Sequence, residues 1–562
     1  MKEITINNYQ FNEKKILKFW KDVFKCSKID KDEDFFSLGG DSLKMFRIIS
    51  LIDEEYGVLI SPQKFIEIGS IKNMSNYICK ELEKIEKKVN FFTLSNENKE
   101  FIFEQELTDV QKAYLTGRKK DFILGNISTH VYYEIETKLH IKKLEESLNK
   151  VIAHQPMLRV IFTKEGTQKI LKNVPKYTIS IEDISYLSEL EQKERIRLER
   201  ERMSHYIFDP ARWPLFEFKA LKTNEKTHYI FVGIDLLIAD GSSLSILVEN
   251  ILNEYNGEKN TSLNSYTFFD YIRDMKFFQK SNAYSDAVNF WSERIDSISG
   301  SANIPLEKDI NKIEKPIFKR LQKEIENKQL ILIKQICRDK KVSFSSLLLM
   351  IYGRILSKWS NQEKMTINIT VSNRYPFHKD VEKIIGDFTS VMLLDVEITE
   401  KGFWEDTRKI QENLLEALEH RHYDGVNVIR EISRRKGNGQ QVLMPIVFTS
   451  MLFSMEGEEK GKFFDDLGEI KMGVSQTSQV YLDYQVMELN GKLSITWDYV
   501  EELFDEDVIT AMFDQYIEIL ETLPEEKRLE LSIKDQEIVE KYNRTERDIP
   551  ECTIQNLFKE TV

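Results

Sequence analysis

The segment Asp235-Leu-Leu-Ile-Ala-Asp-Gly-Ser-Ser243 separates two runs of different periodicity. Before it, His228-Tyr-Ile-Phe-Val-Gly-Ile234 is apolar and rich in β-branched and aromatic side chains, the composition of a buried strand. After it, Leu244, Leu247, Val248, Ile251, Leu252 and Tyr255 recur at the spacing of one helix face, and Gly257 can close that helix. Asp235 and Asp240 therefore stand where a buried strand turns into a helix, with Ser242 or Ser243 available as its cap. Two readings are open at this point. The carboxylates are a catalytic pair, or Asp240 simply starts the helix.

Working outward, strand and helix patterns alternate on both sides. Val131-Tyr-Tyr-Glu-Ile-Glu136 has period two, and Ile141, Leu144, Leu148, Val151 and Ile152 form a helical face before a strand expected at 158–162. Further on, 344–359 reads as a buried helix, while 365–371, 388–398 and 445–453 read as strands. Asn490-Gly491 between alternating runs predicts a hairpin over 480–498, and Val508, Met512, Tyr516, Ile519 and Leu520 mark a closing helix. Such alternation argues for an α/β arrangement, and a span of about 430 residues is long for one core, so two lobes are expected. The first part of the chain differs. Ile16, Leu17, Phe19, Trp20 and Phe24 open a small helical domain, and Asp34-Phe-Phe-Ser-Leu-Gly-Gly-Asp-Ser42 leads into a helix faced by Leu43, Phe46, Ile49 and Ile52. Ser42 sits at the start of that helix, where backbone N–H groups favour an anionic group or where it serves as an ordinary cap.

Bulk properties bound the function. Hydrophobic residues make up 41% of the 562 and charged residues 31%, which fits a globular protein and excludes a fibrous or disordered one. A net charge of −13 leaves no cationic excess to neutralise phosphates, so no nucleic-acid partner is expected. Cys26, Cys79, Cys337 and Cys552 lie far apart, as in a reduced chain. His420 and His422 are the sole pair close enough to suggest a metal clasp, and no zinc-type spacing supports it, so no metal site is expected. The opening residues have no signal-peptide core and no apolar run approaches a membrane span, which sets a cytoplasmic expectation with no membrane partner.

Several strings resemble a known family. Asp34, Phe35, Phe36, Leu38, Gly39, Gly40, Asp41, Ser42 and Leu43 resemble the 4′-phosphopantetheine attachment site of peptidyl carriers in nonribosomal peptide synthetases. Residues from Leu107 to about Phe504 resemble the heterocyclization domain of those synthetases, a relative of the condensation domain. The matching strings, in the family's order, are Leu107-Thr-Asp-Val-Gln-Lys-Ala-Tyr-Leu-Thr-Gly-Arg118, His154-Gln-Pro-Met-Leu-Arg159, and Asp235 with Asp240 and Ser243. They continue with Asn373-Arg374, His378, Asp380-Val381 and Gly386-Asp-Phe-Thr389, then Pro445-Ile-Val-Phe-Thr-Ser450. Ser475-Gln-Thr-Ser-Gln-Val-Tyr-Leu-Asp-Tyr-Gln485 and Trp497-Asp-Tyr-Val-Glu-Glu-Leu-Phe504 close the series. Ser478, Tyr481 and Tyr484 depart from the usual Pro, Trp and His. Residues 542–558 resemble the lead-in to an adenylation domain, so the chain reads as a piece of a longer synthetase.

The resemblance implies an α+β multidomain chain. A four-helix carrier occupies 1–85, a linker 86–105, and two chloramphenicol-acetyltransferase-like α/β lobes, forming a V-shaped pseudodimer, occupy 106–275 and 276–540; 541–562 begins the linker to the adenylation domain. It implies a phosphopantetheine arm on Ser42, installed by a phosphopantetheinyl transferase. Acyl or peptidyl and aminoacyl carrier domains of the same assembly line are the implied partners, with an adenylation domain downstream. An ordinary condensation domain has His-His-x-x-x-Asp-Gly at the strand–helix turn; here Asp235 and Leu236 take the histidine positions, and Leu236 cannot transfer a proton. The implied reaction is amide formation onto a carrier-bound Cys, Ser or Thr, then cyclodehydration to a thiazoline or oxazoline. Asp483 is the matching general acid/base and Thr449 its orienter. Asp235, Asp240 and Ser243 become structural, with Arg374 or Arg159 as the partner of Asp240, and Asn373, Ser450, Ser475 and Gln479 are pocket candidates. Plain amide formation without ring closure and a silent carrier-binding module remain alternatives.

Overall fold

The strand His228–Asp235 and the helix Gly241–Asn256 form as their periodicity predicts, and the helix ends at Gly257 in the left-handed conformation (φ +78°). Its cap is neither expected serine: Asp240 occupies the N-cap and accepts from the Ser243 amide. Ser243 is free for other bonds because the aspartate reaches the amide three residues on. The computed structural model describes residues 2–26, 28–40, 42–56, 58, 60, 62–82, 101–120, 122–258, 266–399, 401–436, 443–452, 464–489 and 491–523. Expectations for the linker over 86–100, for Asp41, Asn490 and Phe453, and for 524–562 with its lead-in to a further domain fall outside these residues.

Helices Lys2–Phe24, Ser42–Tyr56, Pro62–Ile68 and Ile71–Leu82 make the first domain. Aromatic rings fill it: Trp20 stacks on Phe65 at 6.0 Å, and Phe35 meets both edge-on at 5.5 and 4.9 Å. Its core extends to Leu415 of the helix Phe403–Glu419, so this domain packs against a helix of the second lobe.

The remainder is built on two large sheets. One has the strand order Glu469–Gln476, His130–Thr137, His228–Asp235, Phe216–Lys222, Ser180–Asp183, antiparallel except for the last pair. Its helices Ile141–His154 and Gly241–Asn256 cover one face with Leu144, Leu148, Val151, Leu247 and Ile251. The other has the order Thr389–Glu397, Lys364–Ser372, Ile446–Ser450, Leu482–Leu489, Lys492–Val500, Phe318–Ile325. Ile446–Ser450 runs parallel to both neighbours, and the other pairs are antiparallel. The helix Phe344–Ser360 lies beneath it, apolar nearly all round and capped by Ser343, as a fully enclosed helix must be.

Three local expectations change. The strand 130–137 does not alternate between core and solvent, because apolar groups cover both faces, Tyr132 facing one core and Tyr133 the other. Its Glu134 is satisfied by the Tyr132 hydroxyl at 2.9 Å and by the Arg200 guanidinium. The segment expected as a strand over 158–162 begins as a 3-10 turn, Pro156–Arg159, since Pro156 starts a turn more readily than it pairs, and only Val160–Phe162 is extended. Residues 469–476, inside the span expected for the second lobe, add the edge strand to the first lobe's sheet. A crossover between lobes has no local sequence signature.

Candidate active site

The strand–helix turn over 235–243 is held by two buried ion pairs. Asp235 is fully buried; its Oδ2 lies 2.5 Å from Arg118 Nη2, and its Oδ1 accepts from the Leu237 amide. Arg118 also donates to Ser128 Oγ and to the Phe208 carbonyl, so no oxygen of Asp235 is offered to a substrate. Asp240 Oδ1 accepts from Arg374 Nη2 at 2.9 Å, which decides between the two expected partners. Arg159 instead donates to the carbonyls of Ile152 and Leu171. Arg374 donates further to Ser243 Oγ and to the carbonyls of Val381 and Ile384, and its guanidinium lies 3.9 Å over the Phe388 ring. Ser243 Oγ and the Asp240 amide both bond the Gly386 carbonyl. The strand–helix turn of one lobe is thereby clamped onto the 373–388 loop of the other.

Thr449 and Asp483 meet on the second sheet. In the parallel pairing Val447 stands opposite Asp483 and Thr449 opposite Gln485, so all four side chains share one face. Thr449 Oγ1 lies 3.2 Å from Asp483 Oδ1 and 3.0 Å from Thr370 Oγ1, and Gln485 Nε2 donates to Asp483 Oδ2 at 2.7 Å. Asp483 is 8% exposed, and burial pushes its carboxyl up from the usual 3.8 to about 7. The Gln485 and Thr449 bonds and the Arg320 cation pull against that rise, while the Asp498 carboxylate adds to it. A carboxyl half-ionised near neutrality, with one hydroxyl and one amide fixing its oxygens, can both take and return a proton.

The other pocket candidates are dispersed. Ser450, next on the strand, faces the opposite side and contacts Ser345 Oγ at 3.4 Å. Ser475 is buried on the crossover strand, where its amide donates to Asp498. Gln479 occupies a left-handed turn (φ +62°) and bonds the Leu124 carbonyl through its amide. Asn373 lies beside the clamp; its amide bonds the Phe388 carbonyl and its Oδ1 is buried without a partner among the described residues. Sequence reasoning had no role for Thr370, Gln485, Asp498 or Arg320. Gln485 was accessible to it, being two residues from Asp483 on one strand, but Arg320 reaches the site only through the pairing of 318–325 with 492–500. His420 stacks on Phe290 at 3.8 Å and His422 Nδ1 bonds the Tyr375 hydroxyl, so the two histidines turn to different partners.

Residues 104–540 match the condensation domain family, and residues 14–78 match the phosphopantetheine attachment site. The chain belongs to the condensation-domain family. It is 36% identical to bacitracin synthase 1 of Bacillus licheniformis over 557 residues, 97% of this chain and 10% of that protein. It is 28% identical to the phenyloxazoline synthase MbtB of Mycobacterium tuberculosis over 427 residues, 74% of this chain and 29% of that one. The chain thus spans between a tenth and three tenths of the length of these relatives. The cyclization-docking bidomain of the nonribosomal peptide synthetase EpoB from Sorangium cellulosum superposes with a TM-score of 0.71 at 28% identity, covering 84% of this chain and 94% of that one. The fold is a helical carrier followed by the two chloramphenicol-acetyltransferase-like lobes of a condensation domain. Among the described residues no helix is long and apolar enough to cross a membrane.

The carrier's backbone fits a phosphopantetheine arm. Ser42 is the first residue of a 15-residue helix whose first turn holds no acidic side chain. The preceding turn is fixed by Asp34 Oδ1, which accepts from the amides of Phe36 and Ser37, and by Gly39 in the left-handed conformation (φ +82°). A Cβ at Gly40 would stand 2.4 Å from the Phe35 ring, so only glycine lets the chain turn there. The side chains of 41–43 lie outside the described residues.

Proposed function

We propose that this chain is the carrier and heterocyclization portion of a nonribosomal peptide synthetase. It joins an upstream carrier-bound acyl or peptidyl thioester to a downstream carrier-bound Cys, Ser or Thr, then cyclodehydrates the product to a thiazoline or oxazoline. The observation that carries this reading is the buried Thr449–Asp483 contact on the second sheet, in a chain whose strand–helix turn at 235–241 lacks the condensation histidines. Relatives named for oxazoline formation and for cyclization support it.

The phosphopantetheine thiol, on Ser42, would supply the thioester; a phosphopantetheinyl transferase installs it. Amide formation draws on positioning, which is worth about 7–11 kcal/mol in well-oriented reactions. For ring closure, Asp483 takes the proton of the thiol or hydroxyl as its sulfur or oxygen attacks the amide carbonyl. Asp483 passes that proton to the carbonyl oxygen, which becomes a hydroxyl. Asp483 then takes the ring nitrogen's N–H proton as the C=N bond forms and gives it to the departing hydroxyl, which leaves as water. Thr449, itself held by Thr370, orients Asp483 Oδ1, and Gln485 holds Oδ2. The Asp240–Arg374 and Asp235–Arg118 pairs hold the lobes and the turn in shape.

In a reconstituted reaction with loaded carriers, Asp483→Asn and Thr449→Val are expected to accumulate the linear amide while amide formation continues. An Asp483→Asn protein that still closes the ring at the parental rate overturns the assignment. Amide alone from the parent protein would favour plain condensation, and no transfer would favour a silent carrier-binding module.

A further inference from the structure

We infer that the Arg320–Asp498 ion pair of the second lobe's sheet, met by the crossover strand of the first, is the positioning device that sets the orientation and ionisation of Asp483. The inference rests on the proposed role of Asp483 in ring closure.

The sheet register places these groups in one row. Asp498 pairs across the strands with Asp483 on one side and with Arg320 on the other, so all three side chains project from the same face. Arg320 grips Asp498 with two bonds, Nε to Oδ1 at 2.7 Å and Nη2 to Oδ2 at 2.5 Å. The same Nη2 lies 3.5 Å from Gln485 Oε1, and Gln485 donates to Asp483 Oδ2. The crossover strand completes the row. The Ser475 amide donates to Asp498 Oδ2 at 3.1 Å, and a Cβ at Gly473 would come within 3.1 Å of Arg320 Nη1, so the strand leaves room for the guanidinium. Three N–H donors converge on Asp498 and oppose the burial that lifts its carboxyl above its ordinary value. A relay therefore runs from the first lobe's strand through Asp498, Arg320 and Gln485 to Asp483.

The charges facing Asp483 are few. Asp498 stands on the neighbouring strand and Arg320 on the strand beyond it, and Tyr114 faces Asp483 from the helix Asp109–Gly117, while Tyr352 of the helix Phe344–Ser360 packs on the sheet's other face against Phe448, Tyr484 and Trp497. Both tyrosines are held neutral by burial. Asp498 and Arg320 therefore act on Asp483 in opposite senses.

The two members of the pair predict opposite shifts, which a purely structural pair would not produce. In the full chain with loaded carriers, Asp498→Asn leaves the Arg320 cation uncompensated and should move the rising limb of ring closure down by about one pH unit, a tenfold change in the ionised fraction. Arg320→Gln should move it up by a similar amount, and the double variant should return it toward the parental value. Arg320→Lys keeps the charge and the fold but cannot grip Asp498 and Gln485 together. It should retain the limb and lose several-fold in ring-closure rate. The Asp483 carboxyl is also titrated without turnover by isotope-edited infrared difference spectroscopy against Asp483→Asn. Opposite shifts of that carboxyl uphold the inference, and if the rate limb stays still, only the catalytic reading of Asp483 falls. An unmoved carboxyl, shifts of one sign, or a parental ring-closure rate in Arg320→Lys overturns it.

Discussion

Asp483→Asn should change stability as well as chemistry, and in a direction that depends on pH. Burial raises the folded carboxyl from its ordinary 3.8 to about 7, so the neutral form is favoured in the fold. A raised folded pKa contributes stability that is complete below the unfolded value and is lost as pH rises through the folded one. The full loss is about 4 kcal/mol at ~1.4 kcal/mol per pH unit. Roughly 1.7 kcal/mol of it is already gone at pH 5 and nearly all by pH 8. Asparagine keeps the shape and stays neutral at both values. The parent should therefore lose about 2.5 kcal/mol relative to Asp483→Asn between pH 5 and pH 8. Urea midpoints of the condensation-domain transition in the intact chain, taken for both proteins at both pH values, measure this difference. The same gap at pH 5 and pH 8 would show that the carboxyl titrates normally and would remove the basis for its acid/base role.

Arg374→Met leaves Asp240 as a buried unpaired carboxylate and should cost about 3–5 kcal/mol in urea unfolding, with both amide and ring formation falling together. If ring closure alone falls, Arg374 acts in the chemistry and not in the clamp. Incubation with coenzyme A and a phosphopantetheinyl transferase should add one phosphopantetheine mass to the parent and none to Ser42→Ala. Gly117→Ala would place a Cβ 1.8 Å from Ser478 Oγ and should destabilise by about 1–3 kcal/mol, with Ser478→Gly restoring much of it. Failure of the second change to rescue the first, read by the same unfolding midpoints, would place the strain elsewhere.

Much of the fold is written in local periodicity. The strand 228–235 and its helix, the buried helix 344–360 and the closing helix 506–522 follow from apolar spacing, because each buries its face against its own lobe. What local pattern could not supply is pairing over long separation. The crossover of 469–476 and the placement of 318–325 beside 492–500 depend on which edges are left open when both lobes are assembled. The site divides in the same way. Thr449 and Asp483 were reached through the family resemblance, and the parallel register that joins them, the partner of Asp240, and the Arg320–Asp498 row appear only in three dimensions. Ser450 shows the complementary failure: it shares a motif with Thr449, yet strand alternation turns it to the far side of the sheet.

The most direct test of the account is the intact mass of the product formed by the parent protein from an acyl-loaded upstream carrier and a Cys- or Thr-loaded downstream carrier. The account predicts a product lighter by one water than the linear amide, with no thiol available to maleimide when cysteine is the acceptor. A product at the mass of the linear amide, with its thiol free, would contradict it.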